Sequence, residues 1–151
     1  MRLEVKVEGA DQVAAAVAAL AGRLRESPRT VLEEIARDWA ERVFPAVFDA
    51  GGPTGEPWPA LSPISVKLRG RSRPLQGEGI LRGSIRVLEV GDVEALVGTD
   101  IGTVHQEGGR TSERSAFPGR EIPARPFLAL DEEAITASMQ RFEAHYFGGD
   151  R

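Results

Sequence analysis

The chain has no cysteine and no asparagine, only two lysines against seventeen arginines, and few aromatics, 6% of 151 residues. Without cysteine there is no disulfide framework and no thiolate metal site, and a reducing compartment is permitted. The missing asparagine and scarce lysine fit a heat-loving host and a GC-rich genome equally well, so neither carries a functional argument. No window holds 18 or more apolar residues, so no transmembrane helix is expected. The opening MRLEVKVEG alternates instead of forming an apolar signal core, and export is not expected. Strong positive charge is also absent: the formal net charge is −4, unlike a typical basic nucleic-acid binder.

What is present is a patterned chain of one-domain length, with hydrophobic residues at 41%. Leu3, Val5 and Val7 alternate over 2–8, the period of a half-buried strand. Asp11 can cap a helix that carries Val13, Val17, Leu20 and Leu24 on one face. Ser27-Pro28 marks a second helix start, with Val31, Leu32, Ile35, Trp39 and Val43 as its stripe. That helix is expected to reach about Phe48, with a kink or an end at Pro45.

The segment 49–60 holds three glycines and three prolines and reads as a loop or arm in which Trp58 needs a covering surface. Ser62-Pro63 repeats the start signature for a short helix over 63–69. Strands near 84–91 and over 94–99, joined at Gly91-Asp92, read as a hairpin. The polar stretch 108–121 is a long loop, of the kind that is often functional. Asp131 caps a last helix over 131–146, with Ile135, Met139, Phe142 and Tyr146 on one face. The fold class is therefore α+β: N-terminal helices and a C-terminal helix on a small, mainly antiparallel sheet from 2–8, 84–91, 94–99 and about 126–130. Loops 49–60 and 108–121 are long, extended and loosely held in a free subunit. Trp39, Leu88 and Phe142 are expected to be buried between helices and sheet.

No catalytic constellation emerges. His105 and His145 are the only histidines, and neither has HxxxH or CxxC spacing around it. GEGILRG (77–83) has the wrong glycine spacing for a dinucleotide turn and lacks the Gly-Lys-Ser/Thr of a P-loop. Glu33-Glu34 and Glu132-Glu133 are neighbours on helices, about 100° apart, so neither pair shares one proton or one metal. No enzyme, metal or cofactor is expected. Between Leu61 and Leu88 six basic residues, Lys67, Arg69, Arg71, Arg73, Arg82 and Arg86, face one acid, Glu78. A solvated face is the default explanation; a local contact with phosphate or an acidic partner is the sharper one, compatible with transient DNA passage and not with sequence reading.

In IPARPFLAL (122–130), Pro123 and Pro126 fix their own φ and extend the residues before them. The result is a stiff step in which Arg125 can offer its planar fork to a carboxylate or a backbone carbonyl. Phe127 and Leu128 can then enter the core. A brace within one subunit is favoured for this step, with the alternative that it anchors 108–121 as a docking arm.

The order of motifs resembles the phage virion morphogenesis family, the tail-completion proteins of Mu-like and other long-tailed bacteriophages. The residues that carry the resemblance are Trp58 to Pro63, Leu81 to Ile85, Val97 to Thr99, His105 to Gly108 and Ile122 to Leu128. It covers roughly residues 30–140. Glu107 departs from the usual aromatic after His-Gln, and IGTV (101–104) lacks the tyrosine often found before that histidine.

The resemblance implies a structural protein at the junction of tail and DNA-filled head, present in the virion and in the host cytoplasm during assembly. It implies a homo-oligomer, a ring of six copies, contacting neighbouring tail and connector proteins, with transient contact to passing DNA and no membrane. Trp58, Arg69, Arg71, Arg73, His105, Gln106, Arg125 and Phe127 are the candidate interaction residues. Two other readings compete: a head-side connector adaptor, and a DNA-binding accessory protein using 61–88.

Overall fold

The computed structural model describes residues 10–70 and 73–148, so the strand expected over 2–8 and the side chain of Arg71 lie outside the described residues. Helix α1 (Ala10–Arg23) is followed by α2 (Arg29–Asp38), a π-helical turn (Trp39–Val43) and α3 (Phe44–Ala50). The short helices α4 (Pro63–Arg69) and α5 (Ile80–Gly83) lead into strands β1 (Arg86–Val90) and β2 (Ala95–Gly98). Helix α6 (Thr103–Glu107), strands β3 (Gly109–Arg110) and β4 (Glu121–Ile122), and helix α7 (Glu132–Phe147) complete the chain. Among the described residues, two antiparallel two-stranded sheets and seven α-helices make an α+β fold.

The start signals work at the chemical level. Ser27 Oγ accepts from the backbone N–H of Arg29 at 3.3 Å, but the N-cap of α2 falls on Pro28, one residue later than expected, and has no side-chain cap. Ser62 caps α4 by accepting from Ser65 N at 3.2 Å, with Pro63 in the first turn. Asp131 caps α7 by accepting from Ala134 N at 2.8 Å. Asp11 lies inside the first turn of α1, where its charge complements the helix dipole instead of capping it. Pro45 does not end its helix. The irregularity appears one turn earlier, where Phe44 N–H bonds back to Trp39 O. A wider turn there gives the pyrrolidine ring room against the preceding carbonyls.

Strands β1 and β2 pair in the hairpin expected from Gly91-Asp92, with Arg86 opposite Gly98 and Val90 opposite Ala95. The register slips between Val87 and Glu89, a bulge at Leu88 that leaves this side chain 40% exposed. Burial of Leu88 was expected and does not occur.

No strand forms over 126–130, contrary to expectation. Pro123 and Pro126 have no N–H for a ladder, and the amides of Phe127 and Leu128 both donate to the side chain of Gln106. The loop 108–121 is closed at its base by the β3–β4 pair and by Thr111 N–H on Arg120 O at 2.8 Å.

The core runs from the π turn and α3 to Trp58, Ile85, Phe127 and Ala134. Phe48 is its centre: its ring meets Trp58 edge-on at 5.5 Å and Phe127 at 5.6 Å between centroids. Full burial of a ring of this size contributes about 1.5–3 kcal/mol. Helix α7 turns a different edge to the core than its apolar stripe suggested. Of the stripe, Tyr146 is buried as expected; Ala134, outside it, is buried too, and Ser138 Oγ accepts from Trp39 Nε1 at 3.0 Å. Ile135, Met139 and Phe142 stay exposed, Phe142 at 37%, which corrects the expected burial of Phe142; Trp39 is half-buried. Among the described residues no helix is long and apolar enough to cross a membrane.

Candidate interaction site

Three stretches far apart in sequence meet around Arg125. The guanidinium is 5% exposed and donates from Nε to Pro59 O at 3.0 Å and from Nη2 to Ala60 O at 3.2 Å. Its own backbone N–H donates to His105 O at 2.6 Å. One residue on, Trp58 Nε1 donates to Pro126 O at 2.7 Å. Gln106 Oε1 accepts from Phe127 N at 2.9 Å and from Leu128 N at 3.0 Å. A proline-rich step cannot satisfy its polar groups in a ladder, so it takes partners from the 58–60 segment and from α6. The backbone makes this approach possible at Gly108, where φ is +78° and a Cβ would meet Ala124 N at 3.0 Å and Ile122 O at 3.1 Å.

Above this brace the surface is hollowed. A cavity of about 590 Å³ lies on the side of α5, walled by Leu61, Leu75, Ile80, Leu81 and Ile101. A second, of about 540 Å³, lies under the β3–β4 arm, walled by Ile64, Leu68, Phe117 and Ile122. Leu61, Arg69, His105 and Arg125 line both, so the two form one groove with a polar saddle. Arg73 faces the first cavity and Arg120 the second; Glu78 and Glu121 are the acids that face them.

The electrostatics of the saddle are one-sided. Among the described residues, the ion pairs involve Arg37, Arg42, Arg82, Arg86 and Arg141, and Arg125 has no carboxylate within salt-bridge distance. Burial lowers the Arg125 pKa, and two carbonyls carry its solvation. Burial, and then the charges of Arg125 and Arg69, lower the His105 pKa, so the imidazole is neutral at neutral pH. Among the described residues, its buried Nδ1 has no hydrogen-bond partner. Such an arrangement can hold an anionic group beside apolar walls. No cluster of three His, Cys, Asp or Glu residues that could hold a metal occurs among the described residues.

The residues singled out in the sequence divide into two groups. Arg69, Arg73, His105 and Arg125 face the groove. Trp58 and Phe127, 7% and 1% exposed, are core residues that support it from beneath, and Gln106 is committed to the backbone of the proline step. The six-residue basic stripe is not one surface. Arg82 pairs with Asp49 at 2.8 Å, and Arg86 pairs with Asp100. Sequence reading missed Arg120 and the apolar walls. Their only signal was the placing of Leu61, Ile101 and Phe117 within two residues of prolines or glycines, in stretches without a period.

The sequence pattern of the phage virion morphogenesis family matches residues 6–145. The chain belongs to that family. Its role is thereby one of virion assembly, in a family of structural parts, and the protein is associated with the virion. No curated protein and no solved structure matches the chain. Within this member of the family, the motifs that carried the resemblance converge: the 58–63 step, the His105–Gly108 stretch and the 122–128 step are the three parts of the Arg125 brace.

Proposed function

We propose that this virion morphogenesis protein is a tail-completion protein, acting as a ring, six copies in a sixfold tail, where the tail meets the DNA-filled head. The observation that carries the proposal is the family match over residues 6–145, which assigns the chain to virion assembly. The surface supports it. A ring built from one chain needs two different patches on each subunit, since each copy presents one to the copy before it and the other to the copy after. Two apolar areas on separate elements meet that need. One is the α1 and α7 face, where Val13, Val17 and Met139 are 64%, 60% and 60% exposed. The other is the β1–β2 hairpin, where Val93, Leu96 and Leu88 are 82%, 56% and 40% exposed. The neighbours in the virion are then tail and connector proteins, and DNA passes through the ring with transient contact.

Electron micrographs of virions carrying an epitope tag on this chain, decorated with gold-conjugated antibody, test the placement. Gold at the neck, on the tail side of the junction, is the expected result. Gold on the head side would make the protein a connector adaptor, and gold on capsid faces or the distal tail would overturn both placements.

A further inference from the structure

We infer that the groove across Arg125 and His105 receives an extended polypeptide segment of another virion protein, one that carries a carboxylate flanked by apolar side chains. The choice of a virion protein as source rests on the proposed function; the chemistry of the segment rests on the groove. A buried guanidinium without a carboxylate is an expensive arrangement when its only compensation is two carbonyls. Arg125 lines both cavities, and Arg69, exposed, stands over the same saddle. A carboxylate placed there meets two guanidinium groups at the edge of a low-dielectric surface, where charge-assisted bonds are strong. It would also offset the two arginine charges that oppose protonation of His105.

The walls decide between a protein ligand and a nucleic acid. Isoleucine and leucine side chains line both sides of the saddle, together with Phe117 on the arm. A phosphate backbone gains nothing from such walls, whereas apolar residues on either side of an Asp or Glu fill them. The volume agrees. Two joined cavities of about 590 and 540 Å³ exceed what one side chain fills, and they suit a segment of several residues. Glu132 and Glu133, close to the exposed Ile135, belong to the first turn of a folded helix and are not free to enter a groove as an extended segment.

The test uses the purified full chain and an array of overlapping 12-residue peptides tiling the virion proteins of the same phage, this chain included. Peptides with Asp or Glu between apolar residues should bind, and copies with those acids changed to Asn or Gln should bind about tenfold more weakly. The double variant Arg69→Glu/Arg73→Glu should lose the same factor with an unchanged thermal unfolding curve, since both side chains are exposed. If that variant fails to fold, Arg120→Ser on the exposed arm serves instead, with a loss in the same direction. No bound peptide, binding indifferent to the acid-to-amide change, binding only to peptides from this chain, or duplex DNA as the only ligand would each overturn the inference. Peptide binding is read on the isolated protein, so it can fail while the neck placement stands, and the placement can fail while the groove still binds.

Discussion

Arg125 Nε donates to the carbonyl of Pro59 at 3.0 Å, across 66 residues of sequence. Together with the Nη2 bond to Ala60 O, this contact ties the proline step to the segment that carries Trp58. The guanidinium therefore braces its own subunit. Arg125→Ala removes both bonds and should cost about 2–4 kcal/mol of stability. Lysine at 125 keeps the charge without the planar fork and should restore only part of the loss. Urea denaturation of the three proteins checks this. An alanine variant as stable as the parent would show that the brace is not a folding element.

Gln106 is the second half of the same device. Its single carbonyl oxygen serves two backbone donors, Phe127 N and Leu128 N. Gln106→Ala leaves both without a partner beneath the groove, and a loss of about 2–4 kcal/mol is expected. Glutamate at 106 retains the acceptor and should be better tolerated than alanine. Denaturation midpoints compared at one pH give the order.

The aromatic core ranks its members. Phe48 is 1% exposed between Trp58 and Phe127, so Phe48→Ala should cost about 3–5 kcal/mol. Phe142 is 37% exposed and packs against Tyr146, and Phe142→Ala should cost less than about 1.5 kcal/mol. Equal losses at the two positions would mean that α7 turns a different face to the core.

Acid should weaken the fold in two separate windows. The His105 pKa is lowered in the folded chain from 6.5, chiefly by burial, so the unfolded chain binds the proton more readily. Stability from this group is complete above pH 6.5 and declines as the pH falls below it. The Asp38 pKa is lowered from 3.8, first by its hydrogen bond from Arg42, and its contribution is lost only as the pH falls below that value. Unfolding followed from pH 8 to pH 5 should show a falling midpoint that His105→Leu flattens, because leucine does not titrate. Parallel curves for the two proteins would remove His105 from the account.

Much of the fold was legible because capping chemistry is local. Ser62-Pro63, Asp131 and the Gly91-Asp92 turn each specify a boundary from a few neighbouring residues, and α4, α7 and the hairpin follow. What covers a face is not local. The stripe Ile135, Met139 and Phe142 has helical period, yet the smaller Ala134 and Ser138 meet Trp39 and the core. Helix α6 was missed because five residues between Gly102 and Gly108 are too few to show a period.

The site was half visible. The arginines and His105 stood out by charge and motif. The groove between them exists only after 58–61, 101–105 and 120–125 are folded together. Trp58 was legible as a ring in need of cover, and its cover is Phe48 within the same subunit. That contact pins the end of the 49–60 loop, and Thr54 Oγ1 donates to Asp131 Oδ2 at 3.1 Å in its middle.

Micrographs of lysates from a phage deleted for this chain decide whether it joins heads to tails. DNA-filled heads and finished tails lying apart, or joints that fail to hold, are expected, with infectious titre restored by the wild-type chain supplied in trans. Normal virions from the deletion would contradict that role, and empty heads would move the protein to the packaging side of the junction.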